Sequence, residues 1–198
     1  RMRNSLKPKR DSHLFELFQQ ELEKLAEMAS NQEIELGYFD EIGFNLKPNV
    51  PYAWQEIGKT ALLPATRGKN HTLLGILNPL KQNLQAMLIE GAANAECIVK
   101  FLDEFASGLR KKTVLILDNA SIHKATIVQN KIQDWKEKNL FLQFIPAYSP
   151  ELNRIEILWK QMKSFWIKAT DYASKDKLKK RIEDIVKQYN KKYQISFV

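Results

Sequence analysis

The sequence predicts a mixed α/β domain in which a five-stranded sheet is flanked by helices. Three observations predict it. Residues 114–117 are four consecutive branched apolar residues, too few for a buried helix and suited to a strand covered on both faces. Three strand-like segments precede that run and one follows it, with helix-periodic segments between and after. Two of the strands run directly into a carboxylate, Asp40 and Asp118. Open α/β sheets place their ligands at such strand ends, although an Asp-Asn pair such as Asp118-Asn119 is also ordinary turn chemistry.

The elements follow in order. Residues 1–10 read as an extended basic arm. The apolar spacing over 14–29 predicts an amphipathic helix. Residues 34–40 (IELGYFD) form the first strand, ending in the pair Asp40 and Glu41. The next stretch, 45–70, carries three prolines, two glycines, Trp54 and four basic residues, and reads as a long excursion. Loops of that length are commonly functional, which marks Trp54, Arg67 and Lys69 as candidates to contact a polyanionic substrate. His71–Asn78 and Asn83–Glu90 are the next two strands, joined by a turn containing Pro79, so that the first three make an antiparallel meander. A helix over 93–109 then implies a crossover, which sets the strand at 114–118 parallel to a neighbour. Residues 123–138 predict a helix with Ile127, Ile132 and Trp135 inward, and 140–145 predicts the fifth strand. Ser149-Pro150 has the form of an N-cap with proline at the first helical position. The predicted helix runs to Lys168 with Leu152, Ile155, Trp159, Met162 and Trp166 on one face, and a last helix covers 175–193. That order is the ribonuclease-H-like arrangement, divided here into a basic arm and lead-in helix over 1–33 and a catalytic domain over 34–198.

Composition narrows the classes. The net charge of +8 is carried by the ends: +5 over residues 1–10 and +7 over 159–198, against −4 between them. An acidic centre between basic ends suits a protein that binds a polyanion and keeps carboxylates at its active centre. The single Cys97 excludes an internal disulfide and a cysteine-based zinc site, fits a reducing cytoplasm, and reads as a small buried residue. No apolar run approaches the length of a membrane span, and no apolar stretch follows the basic N-terminus as in a secretion signal.

In the predicted arrangement the first and fourth strands lie side by side and parallel, so Asp40 and Asp118 meet at one end of the sheet. Two carboxylates that close repel, and a divalent cation relieves the repulsion. Oxygen donors without clustered Cys or His indicate Mg²⁺ or Mn²⁺. Glu151 and Glu156 compete for a third position. Helical periodicity leans to Glu156 at the edge of the apolar face, whereas Glu151 sits where the helix dipole alone favours an acid. His123 has three readings: metal ligand, helix start or phosphate contact. No oxyanion signature supports a Ser121–His123 nucleophilic pair.

The residues FDE at 39–41, LDNASIH at 117–123 and IPAYSPELNRIEILWKQMK at 145–163 together resemble the DDE transposases of bacterial insertion sequences related to the mariner group. The resemblance spans about residues 34–168 and includes the order of the motifs. It implies catalytic and metal-binding roles for Asp40, Asp118 and Glu156, and motif positions for Asn119, His123, Asn153 and Trp159, of which Asn119, His123 and Asn153 join the candidates for DNA contact. It further implies two Mg²⁺ or Mn²⁺ ions, double-stranded DNA as substrate (element ends and target), a homodimer on DNA, and a cytoplasmic, nucleoid-associated protein. The family carries a helix-turn-helix DNA-binding region upstream. Residues 1–33 offer only one helix and a basic arm, so the chain reads as the catalytic part of a longer transposase or a truncated copy. A nuclease of the same fold that lacks strand transfer, and a DNA-binding relic, are the competing classes.

Overall fold

The computed structural model describes residues 9–47, 57 and 71–197. The basic arm up to residue 8 and most of the excursion, including Trp54, Arg67 and Lys69, lie outside the described residues. The sheet has the order β3-β2-β1-β4-β5. Its strands are β1 (Glu35–Phe44), β2 (His71–Asn78), β3 (Asn83–Glu90), β4 (Thr113–Leu117) and β5 (Leu140–Phe144). β1 is antiparallel to β2 and β2 to β3, while β4 runs parallel to both β1 and β5. This is the predicted five-stranded mixed sheet of the ribonuclease-H-like arrangement.

The two-residue side-chain period of a strand divides the core. Leu36, Tyr38, Ile42 and Phe44 of β1 join Val114 and Ile116 of β4 on one face. That face is covered by α1 (Ser12–Ser30), α5 (Ile155–Gln161) and α6 (Lys175–Lys187). Phe39, Leu115 and Leu117 face the other way, against α2 (Ala95–Ser107) and the short helices α3 (Thr126–Gln129) and α4 (Ile132–Glu137). Every residue of β4 is buried, as its unbroken apolar run requires. The lead-in helix α1 is capped by Asp11, which accepts from the Leu14 amide at 3.0 Å, and packs Phe18 and Ala29 into the first of these cores.

Several element boundaries are corrected. β1 does not end at Asp40 but continues to Phe44, because β2 supplies backbone partners as far as Phe44↔His71. β4 stops earlier, since Asp118 folds back to accept the Ala120 amide at 2.9 Å and turns the chain. The helix expected over 123–138 is two short helices preceded by a turn. Val128 and Trp135 are fully buried, Ile132 packs partly buried against the same core, and Ile127 is 42% exposed rather than inward. Ser149 caps no helix through its side chain: Pro150–Leu152 is a single 3-10 turn, Asn153 is extended, and α5 begins only at Ile155. α5 then passes into a π-helical turn, Met162–Trp166, and the last helix ends at Lys187, not Tyr193.

Candidate active site

The site follows from the register of two parallel strands. β1 and β4 pair from Glu35↔Thr113 to Tyr38↔Ile116. Two residues further along each chain stand Asp40 and Asp118, at equivalent positions and with the same facing. β4 has ended there, so the Asp40 carboxyl is left at the open edge of β1. Asp40 is 9% exposed, whereas the Asp118 side chain is 47% exposed.

Each aspartate is gripped by a buried ring. Trp159, on α5, donates its indole N–H to Asp40 Oδ2 at 3.1 Å. The indole can come this close because Gly75, the β2 residue paired with Asp40, has no side chain: a Cβ there would lie 2.6 Å from Trp159 Cη2. His123 is fully buried in the turn after β4, against the Phe39 ring, with centroids 5.4 Å apart. Its Nδ1–H donates to Asp118 Oδ1 at 2.7 Å and its Nε2–H to Glu41 Oε2 at 2.9 Å. Both acceptors are carboxylates, so both ring nitrogens carry protons and the ring is cationic.

The charge balance is uneven. Burial opposes a charged His123, but hydrogen bonds to Asp118 and Glu41 outweigh it and push the imidazole up to about 10. Burial also acts to raise Asp118, yet the His123 and Ala120 hydrogen bonds bring it below the usual carboxylate range. Asp40 has no such cation. Burial first, then the charges of Glu156, Glu41 and Asp118, push it up to about 8. Glu156, in the first turn of α5, is raised by burial and by Asp118, an effect eased by Lys163. Asp40, Asp118 and Glu156 therefore act on one another electrostatically. Glu151 is instead placed by Arg10, at 3.4 Å.

This donor set suits a hard divalent cation: carboxylate oxygens under mutual repulsion, with Asp118 Oδ1 and Asp40 Oδ2 already oriented by hydrogen bonds. Among the described residues, no three His, Cys, Asp or Glu side chains are already arranged to hold a metal ion.

The other candidates fall into place. The structure places His123 (0% exposed) and Asn153 (2%) in the interior, His123 between two carboxylates and Asn153 in the wall of a cavity beside Asp118. Asn153 Nδ2 donates to the Phe39 carbonyl at 3.0 Å and so pins the start of α5 to β1. Asn119 Nδ2 donates to the Ile145 carbonyl and ties the ends of β4 and β5 together. Sequence reasoning gave no role to Glu41 or Gly75; it read Trp159 as an inward-facing motif position, which the structure buries in the core with its N–H on Asp40. The signals were an acid one residue after Asp40, hence on the opposite sheet face, and a lone glycine inside a strand, the mark of a close approach.

Comparisons with known proteins bear on the fold and the family. An "Insertion element IS630 uncharacterized 39 kDa protein" of Shigella sonnei is 28% identical over 139 residues, covering 63% of this chain and 36% of that protein. The chain thus spans about a third of the length of the curated relative it matches. Among solved structures, the Mos1 strand transfer complex matches over 98% of this chain and 57% of that one, with a TM-score of 0.55 and 17% identity. An intasome of simian T-cell lymphotropic virus in complex with PP2A regulatory subunit B56 gamma matches over 82% of this chain and 50% of that one, at a TM-score of 0.55 and 10% identity. At these identities the two structures speak for the fold. The family model described as DDE superfamily endonuclease matches residues 35–179, which include Asp40, Asp118 and Glu156, and the chain belongs to that family.

Proposed function

We propose that this domain cuts DNA phosphodiester bonds at the ends of a mobile element and joins the freed 3′ ends to target DNA, with Asp40, Asp118 and Glu156 as its catalytic acids. The observation that carries the reading is the equivalent placement of Asp40 and Asp118 on neighbouring parallel strands, with Glu156 raised by the same charge field. Two Mg²⁺ or Mn²⁺ ions, when bound by these acids, supply activation of a water and neutralisation of the leaving 3′ oxygen in an in-line displacement.

The chain's own residues set the stage. Trp159 fixes one oxygen of Asp40, and His123 fixes one oxygen of Asp118 and one of Glu41. Asn153 and Asn119 fix the start of α5 and the loop after β5. DNA reaches the site by its backbone, since phosphate contacts position a duplex without reading it. The basic ends supply sequence-independent affinity. Trp54, Arg67 and Lys69 in the excursion, with Asn119 at the cavity wall, are the proposed DNA contacts, and a second copy of the chain is the proposed partner on DNA.

The test is a pair of assays with Mg²⁺ and with Mn²⁺. Cleavage of labelled duplex DNA by the wild type, lost in Asp118→Asn, supports the phosphodiesterase reading. Joining of a pre-cut 3′ end to a second duplex separates a transposase from a nuclease that only hydrolyses. Absence of metal-dependent cleavage sinks both.

A further inference from the structure

A cavity of about 370 Å³ opens between the end of β4, the loop after β5 and the start of α5, with Asp118, Asn119, Tyr148, Pro150, Asn153 and Glu156 in its walls. Tyr148 is 45% exposed there. Its backbone lies in the left-handed region, at φ 59. A bulky L-residue is disfavoured in that region, and residues held in such conformations cluster where they serve a ligand.

The loop that carries Tyr148 is held at both ends. The Ile145 amide donates to the Leu117 carbonyl at 2.9 Å, and Asn119 grips the Ile145 carbonyl. On the far side the Leu152 amide donates to the Ser149 carbonyl at 3.1 Å, with Leu152 buried. Pro146 and Pro150 fix φ on either side of the crest. The ring is therefore presented on a rigid support beside two of the acids. Asn153, in the same wall, leaves its buried Oδ1 without a hydrogen-bond partner, an unmet acceptor.

We infer that Tyr148 and this cavity hold one unstacked nucleobase next to the phosphate being cut, with the ring stacked on the base. The inference rests on the DNA-cleaving reading above and adds a base subsite to it. Stacking suits any base, because each has a π-face. The amide nitrogens of Asn119 and Asn153 are committed to backbone carbonyls. Stacking therefore admits any base and selects for an opened strand over an intact duplex.

The test uses the whole chain and a short duplex that ends in unpaired thymidines, with iodouracil replacing the one at the junction. Irradiation without divalent metal is expected to cross-link the iodouracil to Tyr148, located by peptide mass spectrometry. Tyr148→Gly suits the left-handed backbone and removes the ring. It is expected to melt within about two degrees of wild type and to bind the unpaired DNA on the order of ten- to a hundredfold more weakly. Tyr148→Phe is expected to restore most of that affinity. A cross-link at another residue, or wild-type affinity in Tyr148→Gly, overturns the inference. Its failure is separable from that of the parent reading. A Tyr148 cross-link without metal-dependent cleavage sinks the nuclease and keeps the base subsite, whereas cleavage with no Tyr148 cross-link does the reverse.

Discussion

The indole N–H of Trp159 reaches Asp40 Oδ2 at 3.1 Å across a gap in the sheet face that exists because residue 75 is glycine. One strand thus provides the acid, its neighbour provides the space, and a helix more than a hundred residues later provides the donor that orients it. Trp159→Phe keeps an aromatic ring at the position but removes the donor and part of the bulk that fills the space over Gly75. It should cost about 1–3 kcal/mol of stability as a hydrogen bond to a charged or buried acceptor, and it should weaken Mn²⁺ binding in calorimetric titration. Gly75→Ala forces a buried, rigid ring to move and should cost a similar amount, about 1–3 kcal/mol. Wild-type Mn²⁺ affinity in both variants would remove Trp159 from the site.

The catalytic assignment is tested by removing charge without removing volume. Asp40→Asn, Asp118→Asn and Glu156→Gln should each lower metal-dependent cleavage by at least about a thousandfold, a loss of about 4 kcal/mol of transition-state stabilisation. Glu151→Gln, on an acid held by Arg10, should cleave within about threefold of wild type. Cleavage that survives in Glu156→Gln and dies in Glu151→Gln would exchange the two roles.

His123 holds two carboxylates from a position with no solvent exposure. His123→Ala leaves both without their buried cation. Because the Asp118 side chain is 47% exposed and water takes up part of its charge, the cost should fall below the roughly 3–5 kcal/mol of a fully buried pair. Denaturant melts of His123→Gln, Glu41→Gln and the double variant should show a cycle far from additive, because the two residues share one interaction. Additive effects would mean that the contact contributes nothing on its own.

Stability should fall with rising pH while metal is absent. Asp40 is raised to about 8 in the folded protein, so its contribution is fully present below the ordinary aspartate value near 3.8 and is lost as pH climbs through 8. His123 is raised to about 10 from 6.5, and its contribution is fully present below 6.5 and lost towards 10. Asp118 is lowered, so its contribution is lost only in acid, outside this window. Melting temperature should therefore decline from pH 5 to 9 without metal. Saturating Mg²⁺ should reverse the trend by favouring ionised carboxylates. Asp40→Asn should flatten the first part of the decline and should melt no lower than wild type at pH 8. A metal-free profile that rises over this range would contradict the charge balance described here.

The order of elements, the β1–β4 pairing and the shared facing of Asp40 and Asp118 were legible in the chain because each is a local or near-local property. Unbroken apolar runs mark buried strands, a helix between strands imposes a parallel crossover, and a two-residue period fixes which way Asp40 and Asp118 face. Helix boundaries were less legible. Ser149-Pro150 has the chemistry of a helix start, but Asn153 is drawn into an extended conformation to bond the Phe39 carbonyl, which delays α5 to Ile155. Likewise the helix expected from residue 123 starts only at Thr126, because His123 is held in the preceding turn by Asp118 and Glu41. What only the tertiary structure decided is who touches the acids. Glu41, His123, Gly75 and Trp159 lie far apart in sequence, and their contacts depend on register, on a missing Cβ and on close packing between layers. Those quantities are set by the whole fold at once, and no short stretch of sequence carries them.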